Sequence, residues 1–420
     1  MGSPRFSEAR TESDGRRALV VVIDACGVGA LPDADRYGDA DANTLAHVAQ
    51  DVGGLVLPTL QRLGLGTIVP LHGVTPVRDP VLHGRLHPLG PGKDSTAGHW
   101  ELMGVAVDHA PPTYPDGLPD GLIRRLEAAV RAEFICNRPY NGITAIDDYG
   151  EEHLRTGSLI LYTSADSVLQ LAAHVDRVPP EALYRACAAA RRVMQGVDAV
   201  GRVIARPFSG APGAFERTNG RRDFALAPPR RSYLQELTEG GVPVHTVGKV
   251  HDLFAGIGVS VAHPAATNAL ALPATTELVR TLPHGFIFTN LIDTDQVYGH
   301  RKDAEGFHDA LQRIDAELAI WLRLIGPGDL LILTADHGVD PHSLGFDHTR
   351  EYVPLLATLG GQGLPSETST RQSETRHDGP MADVGASVLR WLTGRTTDAL
   401  PGQPFAALST RRAACLGRPA

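Results

Sequence analysis

Three apolar runs in this chain end in the same way. Val20 to Ile23, within ALVVVIDACGVGALPDADRYGD, runs into Asp24 and a glycine-rich turn. GFIFTNLIDTDQVYGHRKD carries an apolar run to Asp293 and Asp295, with His300 in the loop beyond. DLLILTADHG ends in Asp336-His337-Gly338. Unbroken apolar runs of this length predict strands buried on both faces. Between the last two, Phe307, Leu311, Ile314, Leu318, Trp321 and Ile325 recur at helical spacing, which predicts an amphipathic crossover helix. Strand, helix and strand in succession predict an α/β fold with a central, mostly parallel sheet flanked by helices. Ligands of such sheets bind beyond the carboxyl ends of the strands. Asp24, Asp295 and Asp336 are therefore expected at one edge, although they are remote in the chain.

The middle of the chain has a different texture. From 110 to 226 it is rich in Pro, Ala and Arg, with short strand-like runs (SLILYTSAD, GRVIARPF) and one helical stretch, PPEALYRACAAARRVMQG. This predicts a smaller α/β domain inserted into the sheet domain, whose own parts are 18–109 and 227–400. Residues 1–17 read as a flexible N-terminal arm and 401–420 as a C-terminal tail.

Composition narrows the function classes. With 420 residues there is room for two or three domains. A net charge of -9 argues against nucleic acid as a partner, since phosphate backbones need a basic surface. No apolar run reaches membrane-span length, and the polar N-terminus is no signal peptide. Four scattered cysteines fit a reducing, cytoplasmic setting. Eighteen histidines make metal binding the first chemistry to test.

Asp24, Asp295, His300, Asp336, His337 and His348 make three carboxylates and three imidazoles, enough for two divalent ions. Any one strand-end Asp is more often a helix cap or turn residue. The spacings Asp295-x₄-His300 and Asp336-His337-x₁₀-His348 are harder to assign to turns. Mixed nitrogen and oxygen ligands suit Mn²⁺ or Zn²⁺. Two such ions can clamp the oxygens of a phosphoryl group in flight. GPGKDSTAGHWELMG, residues 90–104, presents Lys93, Asp94, Ser95 and Thr96 where a helix should start. A hydroxyl there is an ordinary N-cap or, beside a metal, a nucleophile.

These segments resemble the phosphopentomutase family of the alkaline phosphatase superfamily. The resemblance runs from Ala18 to about Leu392 and includes PDADRYGDADANTLAHVA, GKDSTAGHWELMGV, EEHLRTGSLILYTSADSVLQLAAH, GRVIARPF, VGKVHDLFAGIGVS, LIDTDQVYGHRKD and TADHGVDPHSLGFDHTREYVPLLA. It implies an alkaline-phosphatase-like core with an inserted cap. It implies one metal on Asp24, Asp336 and His337 together with the nucleophile, and a second on Asp295, His300 and His348, with Mn²⁺ the usual ion. The nucleophile implied by position is Ser95, with Thr96 beside it as the alternative. Lys93 would stabilise the transferring group. Ser164, Asp166, Val168, Arg202, Arg217 and Lys249 would hold a small-molecule sugar phosphate, with Arg206 a rival to Arg202. The implied reaction interconverts ribose 1-phosphate and ribose 5-phosphate, and the 2-deoxy pair. It passes through a phosphoserine enzyme and a sugar bisphosphate, and a primer such as glucose 1,6-bisphosphate loads the enzyme. The cap would keep water from the phosphoenzyme, and a monomer is favoured.

The chain departs from the family pattern in places. Val339 replaces the usual Asn after ADHG, CNRPYNGIT stands at 136–144, and Asp24-Ala25-Cys26-Gly27-Val28-Gly29 replaces DSVGIG. None removes an expected ligand. They leave room for a paralogue acting on a modified pentose phosphate. A metal-dependent phosphatase on the same core, a phosphoglycerate mutase and a non-catalytic binding protein are the rivals.

Overall fold

A computed structural model describes residues 15–109, 111–164, 167–361 and 376–406. The chain forms two compact units. One comprises Met1–Asp108, Pro228–His251 and Gly256–Ala420; the other comprises His109–Ala227 and Asp252–Ala255.

The first unit is built on an eight-stranded sheet. Its strands lie in the order Val261–His263, Val244–Val247, Gly285–Leu291, Arg17–Ile23, Asp329–Thr334, Val353–Leu359, Leu82–His87, Gly379–Pro380. Pairing is parallel except for Val353–Leu359, which runs antiparallel to both neighbours. The three central strands are apolar because helices cover both faces, so every position of Gly285–Leu291 and Asp329–Thr334 is buried. The crossover helix spans Ala304–Leu324 and buries Phe307, Leu311, Ile314, Leu318 and Trp321, as its spacing predicts. Its inner face also buries Asp315, whose carboxylate accepts from the Thr59 and Leu60 N–H groups at 3.0 and 2.7 Å. That bond caps the short helix Pro58–Leu63.

The second unit has a six-stranded sheet, with Phe134–Pro139, Leu159–Thr163, Val168–His174, Arg202–Ser209 and Glu216–Arg217 in that order and Arg222–Ala225 also paired to Arg202–Ser209. One face packs Leu161, Leu169, Leu171, Val203 and Ala205 with the buried side of helices Asp120–Val130 and Pro180–Val193. The other packs Ile160, Ala172 and Phe208 with Ala145 and Ile146 of helix Gly142–Thr156.

Both expected terminal boundaries need correction. Arg17 already belongs to the first strand, where its guanidinium forms a forked ion pair with Asp329 at 2.8 and 2.5 Å. At the other end Phe405 is fully buried and its N–H bonds Ser387 Oγ, so packing continues as far as Phe405. No described helix is long and apolar enough to cross a membrane.

Candidate active site

The three central strands deliver their acids to one edge of the sheet. Asp24 directly follows Ile23, and its N–H bonds Leu291 O across the sheet at 3.1 Å. Asp336 stands two residues past Thr334. Asp295 departs from the strand pattern: the strand ends at Leu291, and Asp295 lies in a π-helical turn, Thr294–Tyr298. Thr294 Oγ1 ties that turn to Asp24 O at 2.6 Å. Ala25 sits in the left-handed region at φ 63°, and its N–H reaches Asp336 Oδ1 at 3.2 Å. Such a conformation costs on the order of 1 kcal/mol or more and persists where the surroundings impose it.

Two groups of ligand-type side chains result. In each, one atom per residue lies within 4.8 Å of the others: Asp295, His300 and His348 in one, Asp24, Asp295 and His337 in the other. The first is the set the resemblance implies. The second differs, with Asp295 shared between the groups and Asp336 at the margin. Asp336 Oδ1 is occupied by the Ala25 and His337 N–H groups, while Oδ2 lies 3.1 Å from His99 Nδ1 and 3.5 Å from His337 Nε2. Asp295 Oδ1 is 3.5 Å from Nε2 of both His300 and His348.

The imidazoles are turned for coordination. His300 Nδ1 meets Phe346 O at 2.6 Å and His337 Nδ1 meets Gly338 O at 3.1 Å. A carbonyl can only accept, so each Nδ1 donates and each Nε2 faces the acids. Asp24 Oδ1, Asp295 Oδ1, Asp336 Oδ2 and His348 Nε2 are buried without a hydrogen-bond partner. An unsatisfied buried polar atom costs about 1–3 kcal/mol. Four such atoms converging on one place fit divalent cations, and the mixed oxygen and nitrogen set fits Mn²⁺ or Zn²⁺.

The electrostatics agree. Burial lowers the His337 pKa, yet Asp336, Asp24 and Asp295 outweigh it and hold the imidazole well above its usual range. Burial raises the Asp336 pKa, but His337 and His99 bring it down to about 2. Burial and the charge of Asp24 raise Asp295, and His348 and His337 hold it below its ordinary value. A cluster that draws a proton this strongly presents the same field to a cation.

Ser95 stands beside this cluster, with Oγ 3.0 Å from His337 Nε2. It is the first residue of helix Ser95–Leu102, and Asp94, not a hydroxyl residue, is the cap: its carboxylate accepts from the Thr96 and Ala97 N–H groups. The Ser95 hydroxyl is therefore not needed as a cap. The contact of Thr96 is through its backbone N–H to Asp94. Lys93 lies 3.1 Å from Asp39 and 3.9 Å from Asp347, with its ammonium over the Tyr37 ring. Arg350 fixes the same loop by donating to Gly92 O at 2.8 Å while forking onto Asp33.

The other expected residues lie on further elements of the two units. Lys249 follows strand Val244–Val247, and its charge acts on Asp293. In the second unit, Val168 pairs with Arg202 across parallel strands, and Arg202 is 3.7 Å from Asp223. Arg217 closes the edge strand Glu216–Arg217, and Ser164 follows strand Leu159–Thr163. Asp166 lies outside the described residues.

Three residues escaped the sequence reading. His99 is fully buried, and its Nδ1 donates to Ser95 O at 2.8 Å while lying 3.1 Å from Asp336 Oδ2. Asn290 donates to Asp24 Oδ2 at 3.1 Å. Glu351 accepts from Gly29 N, Thr44 N, Thr44 Oγ1 and Thr349 Oγ1, all at 3.1 Å or less. It binds together the loops that carry Asp24 and His337. The available signal was glycine. A Cβ on Gly27 or Gly338 would come within 2.3 or 2.2 Å of the Glu351 carboxylate, and one on Gly98 within 2.3 Å of Asp336 O.

Comparison with known proteins gives the lineage. Residues 16–394 match the family model described as the Metalloenzyme superfamily. The chain is 44% identical over 374 residues to a phosphopentomutase of Carboxydothermus hydrogenoformans, covering 89% of this chain and 95% of that protein. It is 44% identical over 387 residues to that of Caldanaerobacter subterraneus, covering 90% and 98%, and 44% identical over 383 residues to that of an Anaeromyxobacter species, covering 91% and 96%. A buried acid–imidazole cluster beside a helix-terminal serine thus stands in a chain that, by descent, is an enzyme of the mutase type and belongs to the phosphopentomutase family of the metalloenzyme superfamily.

Proposed function

We propose that the protein interconverts ribose 1-phosphate and ribose 5-phosphate, and the 2-deoxy pair, through a phosphorylated Ser95. The observation that carries this reading is the Ser95 Oγ to His337 Nε2 distance of 3.0 Å, at the edge of four buried ligand atoms without partners. Phospho-Ser95 gives its phosphoryl group to the free hydroxyl of the pentose monophosphate. The resulting 1,5-bisphosphate reorients and returns its other phosphoryl group to Ser95. A sugar bisphosphate such as glucose 1,6-bisphosphate loads the resting enzyme.

Asp24, Asp336 and His337, and Asp295, His300 and His348, are the proposed ligands of two divalent ions, Mn²⁺ by the resemblance, with Asp295 placed to reach both. Such ions, when bound, supply positive charge against the transferring oxygens. The chain's own groups do the rest. Helix Ser95–Leu102 directs the positive end of its dipole at a phosphate on Ser95, while the Thr96 and Ala97 N–H groups stay with Asp94. Lys93 adds a positive charge, and Arg350 and Asp94 hold the loop that presents both residues. His99 donates to Ser95 O and stands 3.1 Å from the Asp336 carboxylate, adding to the polar surroundings of the nucleophile. Ser164, Val168, Arg202, Arg217 and Lys249, with Asp166, are the proposed sugar-phosphate ligands. Cys26, Cys136 and Cys187 are free thiols, which supports a cytoplasmic setting.

Phosphorus NMR of the Mn²⁺-loaded enzyme with ribose 5-phosphate and a trace of glucose 1,6-bisphosphate tests this reading. An anomeric phosphate signal should grow while total ester phosphate is conserved. Growth of inorganic phosphate alone would make the protein a phosphatase.

A further inference from the structure

The segment PDADRYGDADANTLAHVA, at 32–49, supplies none of the expected ligands, yet it ties down the loops that carry them. Asp33 holds the Arg350 guanidinium in a fork at 3.2 and 3.1 Å. Tyr37 donates its hydroxyl to Pro91 O at 2.9 Å, and two cations lie over its ring, Arg350 at 5.2 Å and Lys93 at 5.8 Å. The Asn43 N–H and His47 Nδ1 bond the Asp340 carboxylate. Thr44 Oγ1 accepts from the Val339 N–H and donates to Glu351. The segment is thus a strap across the loop before Ser95 and the loops on either side of His348.

Within the strap, Asp39 has the most direct line to the chemistry. It is buried, and its Oδ2 accepts twice, from Lys93 Nζ at 3.1 Å and from the Arg350 N–H at 2.9 Å. The backbone bond anchors the carboxylate, so the ammonium is held by an acid that is itself fixed. Among the described residues Asp39 is the one hydrogen-bond partner of Lys93; Asp347 stands 3.9 Å away and is exposed. An ammonium has three donors. Asp39 takes one and leaves two for oxygens arriving at the head of helix Ser95–Leu102, two residues along the chain. A lysine is a point charge on a flexible stem, so its worth to a transferring group depends on where it is held.

We propose that Asp39 is a positioning residue for phosphoryl transfer, holding the Lys93 ammonium beside Ser95 with two of its donors free for the transferring group. The part of Lys93 in transfer rests on the proposed mutase reaction; the hold of Asp39 on Lys93 does not. Asp39 touches no reacting atom. It removes the freedom of the Lys93 side chain before the phosphoryl group arrives.

The test uses the full, Mn²⁺-loaded chain and has two arms. The first is a double-mutant cycle on mutase turnover. Asp39→Asn should lower kcat roughly tenfold and Lys93→Ala roughly 10²-fold, the scale on which one donor to a transferring group acts. KM should change less than kcat in both, since the interaction serves the group in flight. The double variant should match Lys93→Ala within about twofold, because the two residues act as one unit. The Asn amide oxygen still accepts from the Arg350 N–H, so the melting temperature should stay near wild type. Losses that add in the double variant, or full activity in Asp39→Asn, would overturn the proposal.

The second arm needs no activity. The chain has three lysines, Lys93, Lys249 and Lys302. Acetylation by an N-hydroxysuccinimide ester is followed at each by mass spectrometry. Lys93 should react roughly threefold faster or more in Asp39→Asn, because its charge-assisted hydrogen bond is lost. Lys249 and Lys302 should keep their wild-type rates. An unchanged Lys93 rate would overturn the hold, and so would equal acceleration at all three lysines, which would make Asp39 a support of the fold. Selective acceleration at Lys93 in a protein without mutase activity would refute the reaction and leave the hold of Asp39 standing.

Discussion

Ser95 Oγ and His337 Nε2 lie 3.0 Å apart, although 242 positions separate them in the chain. The serine comes from the head of a helix and the histidine from a loop past the end of a central strand. Their contact places a hydroxyl that is free of capping duty against a cluster that attracts cations. Ser95→Ala should lower turnover by at least about 10³-fold, the scale on which loss of a nucleophile acts. Metal content and melting temperature should stay near wild type. Thr96→Ala should retain most activity. Intact-mass detection of the phosphoenzyme checks both variants, and an active Ser95→Ala with a dead Thr96→Ala would transfer the role to Thr96.

Asp295 belongs to both ligand groups. Asp295→Asn should therefore weaken both ions, whereas His300→Ala should weaken one. Metal analysis after gel filtration in limiting Mn²⁺ should find close to none and close to one ion per chain. Full occupancy of one site in Asp295→Asn would show that the two groups do not share this carboxylate. EDTA should lower the melting temperature of the wild type, since a ligand at 100 times its Kd stabilises by about 2.7 kcal/mol.

Glu351 is buried and accepts four hydrogen bonds behind the cluster. Glu351→Ala strands those donors and should destabilise the first unit by about 3 kcal/mol. Glu351→Gln keeps one acceptor oxygen and should cost about half as much. Urea unfolding measures both. Mn²⁺ affinity should fall roughly tenfold or more in Glu351→Ala, because the loops bearing Asp24 and His337 lose their common anchor. Unchanged stability in Glu351→Ala would rule out that anchoring role.

His153 gives the second unit a pH dependence. Its Nδ1 donates to Ser158 O at 2.7 Å, and its Nε2 accepts the His174 N–H at 2.9 Å. Both nitrogens are satisfied only in the neutral ring. Burial holds the imidazole below its ordinary 6.5, outweighing the Ser158 carbonyl. A base with a lowered folded-state pKa contributes stability that is fully present above the unfolded value. That stability drains away as pH falls below about 6.5, because the unfolded chain takes the proton first, with a limiting slope of about 1.4 kcal/mol per pH unit. Urea melts of the second unit between pH 8 and 5 should show this loss. His153→Gln should be less stable at pH 8 and flatter below 6.5. An equally steep slope in the variant would assign the effect to other groups.

Gly98 lets the nucleophile helix approach Asp336 closely. Gly98→Ala places a Cβ 2.3 Å from Asp336 O and must push the helix away. Activity should fall by roughly 10²-fold, the scale expected for a misplacement of about 1 Å. Mn²⁺ content should fall far less. A fully active Gly98→Ala would show that this close approach is dispensable.

Much of this protein was legible before folding. The central strands, the crossover helix and the acids that end the strands are written in local periodicity, because burial on both faces demands unbroken apolar runs and burial of one helix face demands a 3.6-residue repeat. Strand-end positions and spacing supplied the six candidate ligands, and motif order added the family. What the chain alone did not reveal is how those residues divide and what supports them. Asp295 enters both groups because a π-helical turn swings it back over Asp24. Asp336 is drawn to the margin by backbone N–H groups. His99, Asn290 and Glu351 act through partners 237 to 322 positions away, and no local pattern marks such a contact. Only the stacking of parallel strands, which brings remote carboxyl ends to one edge, decides which buried atoms find partners and which wait for a cation.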